Sequence, residues 1–214
     1  MLELGAGGGA LTAPLARSAH KVIAVELDGA LAAGLRRRFP SVEVICGDAL
    51  EVALPAKPFK VVANLPFDGA TAMLRRLLDP RAALESANVI VDWGLACKRS
   101  AVWPSTQLGT YWSTWFELSI ERRLPRCVFA PPPSVDAALL RIVRRGQPLV
   151  HMRERRRYER FLQRGYRDGP RSVVPWRVLK QCEAELGFDR RATARDLDAR
   201  QWAALFRHAV RRPV

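Results

Sequence analysis

The stretch MLELGAGGGALTAPLA, residues 1–16, contains the pattern that decides the fold. The short run Met1–Leu4 leads into the glycine-rich residues 5–9, and Ala10–Ala16 then has helical spacing. Strand, glycine turn and helix in this order let backbone approach a ligand and point the first helical N–H groups at an anionic group. Glycine-rich turns are common, so this stretch alone predicts an α/β sheet without specifying its ligand.

Three further strand-like runs follow, and each leads into a polar side chain. The second ends in Glu26, 21 residues after Gly5, which is the spacing at which an acid accepts hydrogen bonds from ribose hydroxyls. The third is followed by Asp48, where a carboxylate can meet an adenine amine, and the fourth by Asn64. Because ligands of open α/β sheets bind at the strand ends, these four ends predict a nucleoside site.

The fourth strand end carries the tetrapeptide Asn64-Leu65-Pro66-Phe67. An exocyclic base amine is a poor nucleophile, because its lone pair is delocalised into the ring. The side-chain carbonyl of Asn64 and the main-chain carbonyl of Leu65 or Pro66 can accept the two amine hydrogens, and Phe67 can stack on the base. A strand ending in a proline turn would look the same in isolation, so the interpretation depends on the preceding strand ends.

The series GAGGG, Glu26, Asp48 and NLPF resembles the S-adenosylmethionine-dependent adenine-N6 methyltransferases. The stretch Phe129–Asp136, FAPPPSVD, resembles the signature of the ribosomal RNA adenine dimethylases. Val91–Arg99 and Trp115–Leu118 resemble the Erm branch, which modifies large-subunit (23S) ribosomal RNA and confers resistance to macrolide, lincosamide and streptogramin B antibiotics. The likeness covers nearly the whole chain.

This resemblance implies a Rossmann-like methyltransferase sheet, S-adenosylmethionine as the cofactor, and methyl transfer to N6 of an adenine in 23S ribosomal RNA. Phe129 receives a stacking role by the resemblance alone. The expected catalytic residues are Asn64, Leu65, Pro66, Phe67 and Phe129. The expected cofactor-binding residues are Gly5, Ala6, Gly7, Glu26, Leu27, Asp48, Ala49 and Asn64.

The start of the chain departs from the family pattern. In that family a helix before the first strand carries an Asn-Phe-Leu type segment that closes over the methionine end of the cofactor. This chain begins at its first predicted strand. We therefore expect either a truncated start or a misassigned start codon.

Two domains are predicted from the change of pattern near Arg144–Pro148. Strand-like runs alternate with helical segments up to about residue 100, as in a parallel doubly wound sheet. The family resemblance implies that Phe116–Arg122 and Ala137–Val143 close that sheet as an antiparallel pair. Beyond Pro148 only helical spacing appears. We expect a cofactor-binding catalytic domain over residues 1–147 and a small all-helical, RNA-contacting domain over 148–214.

Charge supports an RNA partner. The formal net charge is +14, and residues from Pro148 onward carry 17 basic and 8 acidic side chains. Such a local excess favours a polyanion whose phosphates supply salt-sensitive affinity. The densest run, Arg155, Arg156 and Arg157, is predicted to bind RNA phosphates, the alternative being a solvated helix face in an arginine-rich protein.

Composition limits the other classes of function. No run has the length of a membrane span, and the N-terminus lacks the basic start of a signal peptide. The four cysteines form no CxxC pair and the three histidines are dispersed. We expect free thiols in a reducing cytoplasm, no metal, no membrane and a monomer.

Two local interpretations stay open. The segment Ser100–Trp115 is predicted to be a loop; core packing explains most of its aromatic residues, although the loop could also help hold a flipped-out base. Its residues of interest are Trp103, Pro104, Tyr111, Trp112 and Trp115. Asp68 could act as a base, but a solvated turn carboxylate explains it as well, since methyl transfer from a sulfonium needs little acid–base help.

Other functions remain as alternatives. Gly5, Gly7 and Ala10 also satisfy the GxGxxA fingerprint of a dinucleotide-dependent oxidoreductase with Glu26 downstream, although Asp48 and the NLPF tetrapeptide have no role in it. A small-subunit ribosomal RNA adenine dimethylase is the closer competitor. A non-catalytic RNA-binding relative of the same fold is the third.

Overall fold

The computed structural model describes residues 1–100, 105–189 and 191–211. Its strands are β1 (Leu2–Leu4), β2 (Ile23–Glu26), β3 (Glu43–Cys46), β4 (Phe59–Asn64), β5 (Leu84–Asp92), β6 (Phe116–Leu124) and β7 (Ala137–Arg144). Its α-helices are α1 (Thr12–Ser18), α2 (Gly29–Arg38), α3 (Ala70–Leu77), α4 (Trp93–Arg99), α5 (Gln107–Trp115), α6 (Arg155–Asp168), α7 (Trp176–Leu186) and α8 (Ala199–Arg211).

One seven-stranded sheet has the order β3-β2-β1-β4-β5-β7-β6. The first five strands in this order pair in parallel, and β7 pairs antiparallel with β5. Strand β1 lies between β2 and β4, with Leu4 level with both Val25 and Ala63. The strand order therefore reverses at β1, which is where open α/β sheets bind ligands. The predicted α/β fold class is confirmed.

The core of the sheet lies along its central strands. Ala24, Val25, Val61, Ala63 and Val89 are all buried there. Burial is continuous over the last three residues of β2, but it alternates along β4, where Lys60 is exposed. The polar residues Glu26 and Asn64 come only where β2 and β4 end, so the edge of the sheet, not its interior, carries the chemistry.

The chain divides into two compact units. The first comprises Met1–Ala96 and Ser119–Arg144, and the second comprises Cys97–Leu118 and Arg145–Val214. The second unit thus includes residues 97–118, which the sequence placed with the sheet domain, because α5 packs on α6 and α8. The functional boundary expected after Gln147 stays a prediction.

The predicted loop over residues 100–115 is wrong for its second half, which forms α5. Thr106 caps this helix by accepting a hydrogen bond from the Gly109 backbone N–H at 3.1 Å. Trp112 and Trp115 are only 2% and 1% exposed, so core packing, not base binding, accounts for them. Trp103 and Pro104 lie outside the described residues.

Helices α6, α7 and α8 enclose an aromatic core in the second unit. The rings of Tyr158 and Phe206 have centroids 5.1 Å apart, and those of Phe161 and Trp202 are 5.9 Å apart. Gly165 of α6 faces Trp202 so closely that a Cβ there would lie 2.4 Å from the indole ring. These contacts fix the packing of α6 against α8.

The last two helices have well-defined ends. Gly187 follows α7 in the left-handed conformation, with φ of +67°. Asp198 caps α8, its Oδ1 accepting a hydrogen bond from the Gln201 N–H at 2.8 Å. None of the helices that the structure describes is long and apolar enough to cross a bilayer.

Candidate active site

The glycine turn after β1 is held by the neighbouring strand. The N–H groups of Gly5 and Ala6 donate to the Val25 carbonyl at 2.9 and 3.1 Å. Gly5 and Gly7 have φ of +69° and +55°, a region that residues with a Cβ seldom adopt. The turn is therefore tight, and it leaves the backbone of Gly5 exposed at the end of β1.

Glu26 links two turns at this edge of the sheet. The residue is 8% exposed, and its carboxylate accepts hydrogen bonds from the Gly7 N–H at 2.7 Å and from the Asp28 N–H at 2.9 Å. Each carboxylate oxygen can accept a second bond. The predicted ribose acceptor thus also holds the two turns together through its hydrogen bonds. The adjoining Leu27 has an exposed apolar side chain, 69% accessible.

Asp48 lies in a turn whose backbone carbonyls accept hydrogen bonds from an arginine of helix α3. Its Oδ1 accepts a hydrogen bond from the Leu50 N–H at 2.7 Å. The Arg76 guanidinium of α3 donates to the Ala49 carbonyl at 2.6 Å and also to the Val52 carbonyl. Sequence reasoning missed Arg76, and no local pattern marks it.

Glu3 is a second residue that sequence reasoning missed. It is buried within β1, and the Thr12 hydroxyl of α1 donates to its Oε2 at 2.7 Å. Burial raises the pKa of Glu3, while the hydrogen bonds from Thr12 oppose this. The pair ties β1 to α1 across the glycine turn. The available signal was an acid inside an otherwise apolar strand.

A cavity of about 400 Å³ lies at the ends of β1 and β4. It joins the tetrapeptide to the distant proline-rich stretch and to the glycine turn. Its lining residues are Gly5, Asn64, Leu65, Pro66, Phe67, Phe129, Pro131 and Pro133. All five predicted catalytic residues therefore line one cavity, whose size is within the range of ordinary ligand sites.

The tetrapeptide has a fixed backbone. Leu65 is buried and its N–H donates to the Ile90 carbonyl at 3.0 Å. The Pro66 carbonyl accepts a hydrogen bond from the Gly69 N–H at 3.1 Å, which closes a turn. Asn64 is exposed, and Phe67 is partly exposed. The amide and the ring are thus both accessible on a rigid support.

The segment that carries Phe129 is anchored by Asp136. Its Oδ1 accepts a hydrogen bond from the Arg126 N–H at 3.0 Å, and its Oδ2 accepts one from Arg123 Nε at 3.0 Å. These bonds, the Arg126 backbone bond first, lower the pKa of Asp136. The Arg123 guanidinium lies 4.8 Å from the centroid of the Trp93 ring. Phe129 itself stays partly exposed.

The remaining cysteines and acidic residues that the sequence singled out are scattered in the described part of the chain. Asp68 is exposed in the turn before α3, as a solvated carboxylate would be. Cys46 and Cys127 are exposed, Cys97 and Cys182 are buried, and none of the four forms a disulfide. Among the described residues no group of three or more histidine, cysteine or acidic side chains could hold a metal ion.

The three predicted phosphate-binding arginines do not share one face. They are consecutive at the start of α6, and neighbouring helical residues point about 100° apart. A groove of about 260 Å³ is lined instead by Arg157, Arg160 and Arg164. The structure brings Arg157 together with the next two turns of α6, not with Arg155 and Arg156.

The fold is a Rossmann-like α/β sheet with a ligand-sized cavity at the ends of β1 and β4. A profile of the ribosomal RNA adenine dimethylases matches residues 1–166. The chain belongs to this family, which confirms the predicted family and, with it, S-adenosylmethionine as the cofactor. The oxidoreductase alternative is excluded by this membership.

Individual relatives agree with the assignment. The chain is 38% identical over 161 residues to an rRNA adenine N-6-methyltransferase of Corynebacterium diphtheriae, covering 74% of this chain and 63% of that protein. It is 36% identical over 216 residues to the mycinamicin-resistance protein MyrB of Micromonospora griseorubida, covering 97% and 69%. The 23S rRNA methyltransferase ErmE superposes with a TM-score of 0.87 at 28% identity, covering 96% and 88%.

Proposed function

We propose that this protein transfers a methyl group from S-adenosylmethionine to the exocyclic N6 of an adenine in 23S ribosomal RNA, and that this confers macrolide-lincosamide-streptogramin B resistance. The observation that carries the proposal is the cavity of about 400 Å³ in which Asn64, Phe67 and Phe129 meet the glycine turn. Residues separated by more than a hundred positions converge there on a single ligand-sized space.

The residues at the strand ends fit the cofactor. Gly5 presents exposed backbone without a Cβ. A Cβ at this position would lie 4.0 Å from the main-chain carbonyl oxygen of Asn64. Glu26 retains acceptor capacity for ribose hydroxyls beyond its two backbone bonds. Leu27 offers exposed apolar surface to an adenine ring. The cofactor, when bound there, supplies an electrophilic methyl group on sulfur.

The target base must leave its stack before these side chains can reach it. Asn64 Oδ1 then accepts one hydrogen of the exocyclic amine, and the Leu65 or Pro66 carbonyl accepts the other. Both acceptors favour a tetrahedral nitrogen whose lone pair points away from the ring. Phe67 and Phe129 hold the ring faces. The nitrogen that gains the methyl group becomes cationic and releases one proton to water, so alignment and fixed dipoles carry the rate with little acid–base help.

The extent of similarity favours 23S over small-subunit RNA. The similarity to MyrB and the superposition with ErmE cover 97% and 96% of this chain. A small-subunit methyltransferase A of Streptococcus pyogenes is 34% identical over 170 residues, or 72% of the chain. The small-subunit target is therefore the second candidate.

The helical unit is proposed to contact RNA phosphates, with the protein acting as a monomer in the cytoplasm. Arg155, Arg156 and Arg157 begin α6, and Arg157, Arg160 and Arg164 line its groove. Arginines at this spacing project from one side of a helix. Such a row suits a phosphate backbone, which sets position and affinity rather than sequence.

A labelled-methyl assay tests the proposal directly. The purified protein would be incubated with methyl-labelled S-adenosylmethionine and with deproteinised 23S or 16S RNA. We expect label in 23S RNA, released as N6-methylated adenosine on nucleoside digestion. Label in 16S RNA alone would favour the second candidate. RNA binding without any transfer would identify a non-catalytic relative.

A further inference from the structure

The second unit contains a cavity of about 570 Å³ that the catalytic proposal does not use. It lies between the end of α6, helix α7 and the segment that precedes α8. None of its lining residues also lines the Asn64 cavity. Its volume is within the range of sites that bind small ligands.

The inner surface of this cavity is apolar. Pro170, Leu179, Phe188 and Ala194 line it and are all buried. Such a surface accommodates the face of an uncharged heterocycle, because removing both apolar surfaces from water is favourable. It offers little to a fully charged ligand.

The rim of the cavity is cationic. Arg171, Arg191 and Arg195 line it and are exposed. Its one acidic member, Asp168, is bridged to Arg167 at 2.9 Å, which holds the pKa of Asp168 low. The rim thus presents guanidinium groups suited to bidentate contacts with phosphate.

Tyr166 provides a rigid aromatic wall. Its hydroxyl is hydrogen-bonded to the Ser105 and Thr110 hydroxyls at 2.7 and 2.6 Å, and burial raises its pKa. Its ring stacks on Trp202 with centroids 5.4 Å apart and an interplanar angle of 24°. A wall held in this way loses little freedom when a base binds beside it.

A second platform extends the rim. Arg171 lies 4.6 Å from the ring centroid of Trp176, an aromatic residue that remains 46% exposed. Aromatic and guanidinium planes are the surfaces on which proteins stack unpaired bases. The cavity therefore offers apolar and stacking surfaces for the base of a nucleotide and a cationic rim for its phosphate.

We propose that this cavity binds one unpaired nucleotide of the RNA substrate, in addition to the adenine that is methylated. Its base lies against Tyr166 and the apolar floor, and its phosphates contact Arg191 and Arg195, with Arg171 alongside. The proposal rests on the proposed function, since that function makes RNA the partner. An acidic peptide would satisfy the rim but would leave the apolar floor without a flat partner.

The test uses the full chain and fluorescein-labelled RNA hairpins that differ only in a short single-stranded tail. One hairpin carries an adenosine tail and the other an abasic tail with the same phosphates. We expect the adenosine tail to bind about tenfold more tightly, as stacking of a single base would give. Equal affinities for the two tails would overturn the proposal, because phosphate contacts alone would then explain binding.

Two charge variants with the same loss of positive charge locate the effect. In Arg191→Gln/Arg195→Gln, the preference for the adenosine tail should fall to less than threefold, while melting temperature stays near that of the parent. In Arg177→Gln/Lys180→Gln, which removes two exposed charges from α7 outside the cavity lining, the tenfold preference should persist. An equal loss of preference in both variants would contradict the assignment.

A competition experiment distinguishes RNA from an acidic peptide as the ligand of this cavity, and a methylation assay tests the proposed function separately. Polyglutamate that displaced the adenosine tail as effectively as unlabelled RNA would overturn the nucleotide assignment. Methyl transfer to 23S RNA is measured independently. If the protein methylates 23S RNA but binds the two tails equally, only the proposed nucleotide site is wrong. If it prefers the adenosine tail but does not methylate RNA, only the catalytic proposal is wrong.

Discussion

The two cavities of this protein differ in how their residues come together. The cavity in the first unit forms at the ends of β1 and β4, where Asn64 directly follows an apolar run in the sequence. The cavity in the second unit is lined from turns and from single positions on helices. Sheet topology therefore makes a site predictable from the sequence, whereas a site between packed helices has no such local signal.

The largest effect expected at the strand-end cavity comes from Asn64→Ala. Turnover should fall about 100-fold or more, because a fixed acceptor of this kind matters most as the amine becomes tetrahedral. Cofactor affinity, measured by calorimetry, should change far less than turnover. Steady-state kinetics and calorimetry on the same preparation would check both.

Asn88→Ala is the matched control for this variant. Asn88 is an exposed asparagine on the neighbouring strand β5 and does not line the cavity. It should retain full turnover. If Asn64→Ala kept parental turnover, the assignment of the amine acceptor would be wrong.

Glu26→Ala should weaken binding of S-adenosylmethionine by roughly 1–3 kcal/mol, the range for leaving polar groups without a charged partner. The loss would combine an unpaired ligand hydroxyl with release of the Gly7 N–H. Glu43→Ala, which removes an exposed carboxylate paired with Lys21, serves as the control and should bind the cofactor normally. Unchanged affinity by calorimetry in Glu26→Ala would count against the ribose assignment.

Two glycine substitutions, one in each unit, should change the free energy of unfolding in opposite directions. Gly165→Ala should lower the free energy of unfolding by about 1–3 kcal/mol, because its Cβ would collide with the Trp202 ring. Gly34→Ala in α2 meets no atom within 4 Å and should raise stability by about 0.5–1 kcal/mol. Denaturant titration measures both. A stabilised Gly165→Ala variant would contradict the packing of α6 on α8.

The smallest expected effect concerns salt dependence at the α6 groove. Replacing Arg157, Arg160 and Arg164 by glutamine should reduce the slope of log affinity against log salt for an RNA hairpin by about two to three. Replacing Arg155, Arg156 and Arg157 instead should reduce it less, because these three point in different directions. Fluorescence anisotropy over a salt series would measure the slope for both triple variants. A larger reduction for the Arg155, Arg156 and Arg157 variant would instead assign the phosphate contacts to the consecutive arginines.

Most of the strand-end site could be predicted because each of its residues has a local signal. Glu26, Asp48 and Asn64 each follow an apolar run, and β-strand ends fall at one edge of the sheet. Phe129 was found by resemblance alone. Glu3 and Arg76 were missed because their roles depend on tertiary contacts with Thr12 and with the carbonyls after Asp48.

The helical unit was harder to predict for physical reasons. The sequence of α5, QLGTYWSTW, is rich in residues of modest helix propensity, and tertiary packing of its tryptophans overrides that preference. Of the arginines that line the second cavity, Arg171 lies in a short 3-10 helix and Arg191 and Arg195 lie in turns, so they share no periodicity. Charge predicted that this part of the chain binds a polyanion, but it could not select which arginines act together.

Mass spectrometry of ribosomal RNA from cells would measure the proposed modification itself. A macrolide-sensitive bacterium would express the parent protein, Asn64→Ala or Asn88→Ala. We expect N6-methylated adenosine at one 23S position, together with macrolide resistance, for the parent and Asn88→Ala but not for Asn64→Ala. Unmodified 23S RNA in cells expressing the parent, or equal modification with Asn64→Ala, would contradict the proposed function.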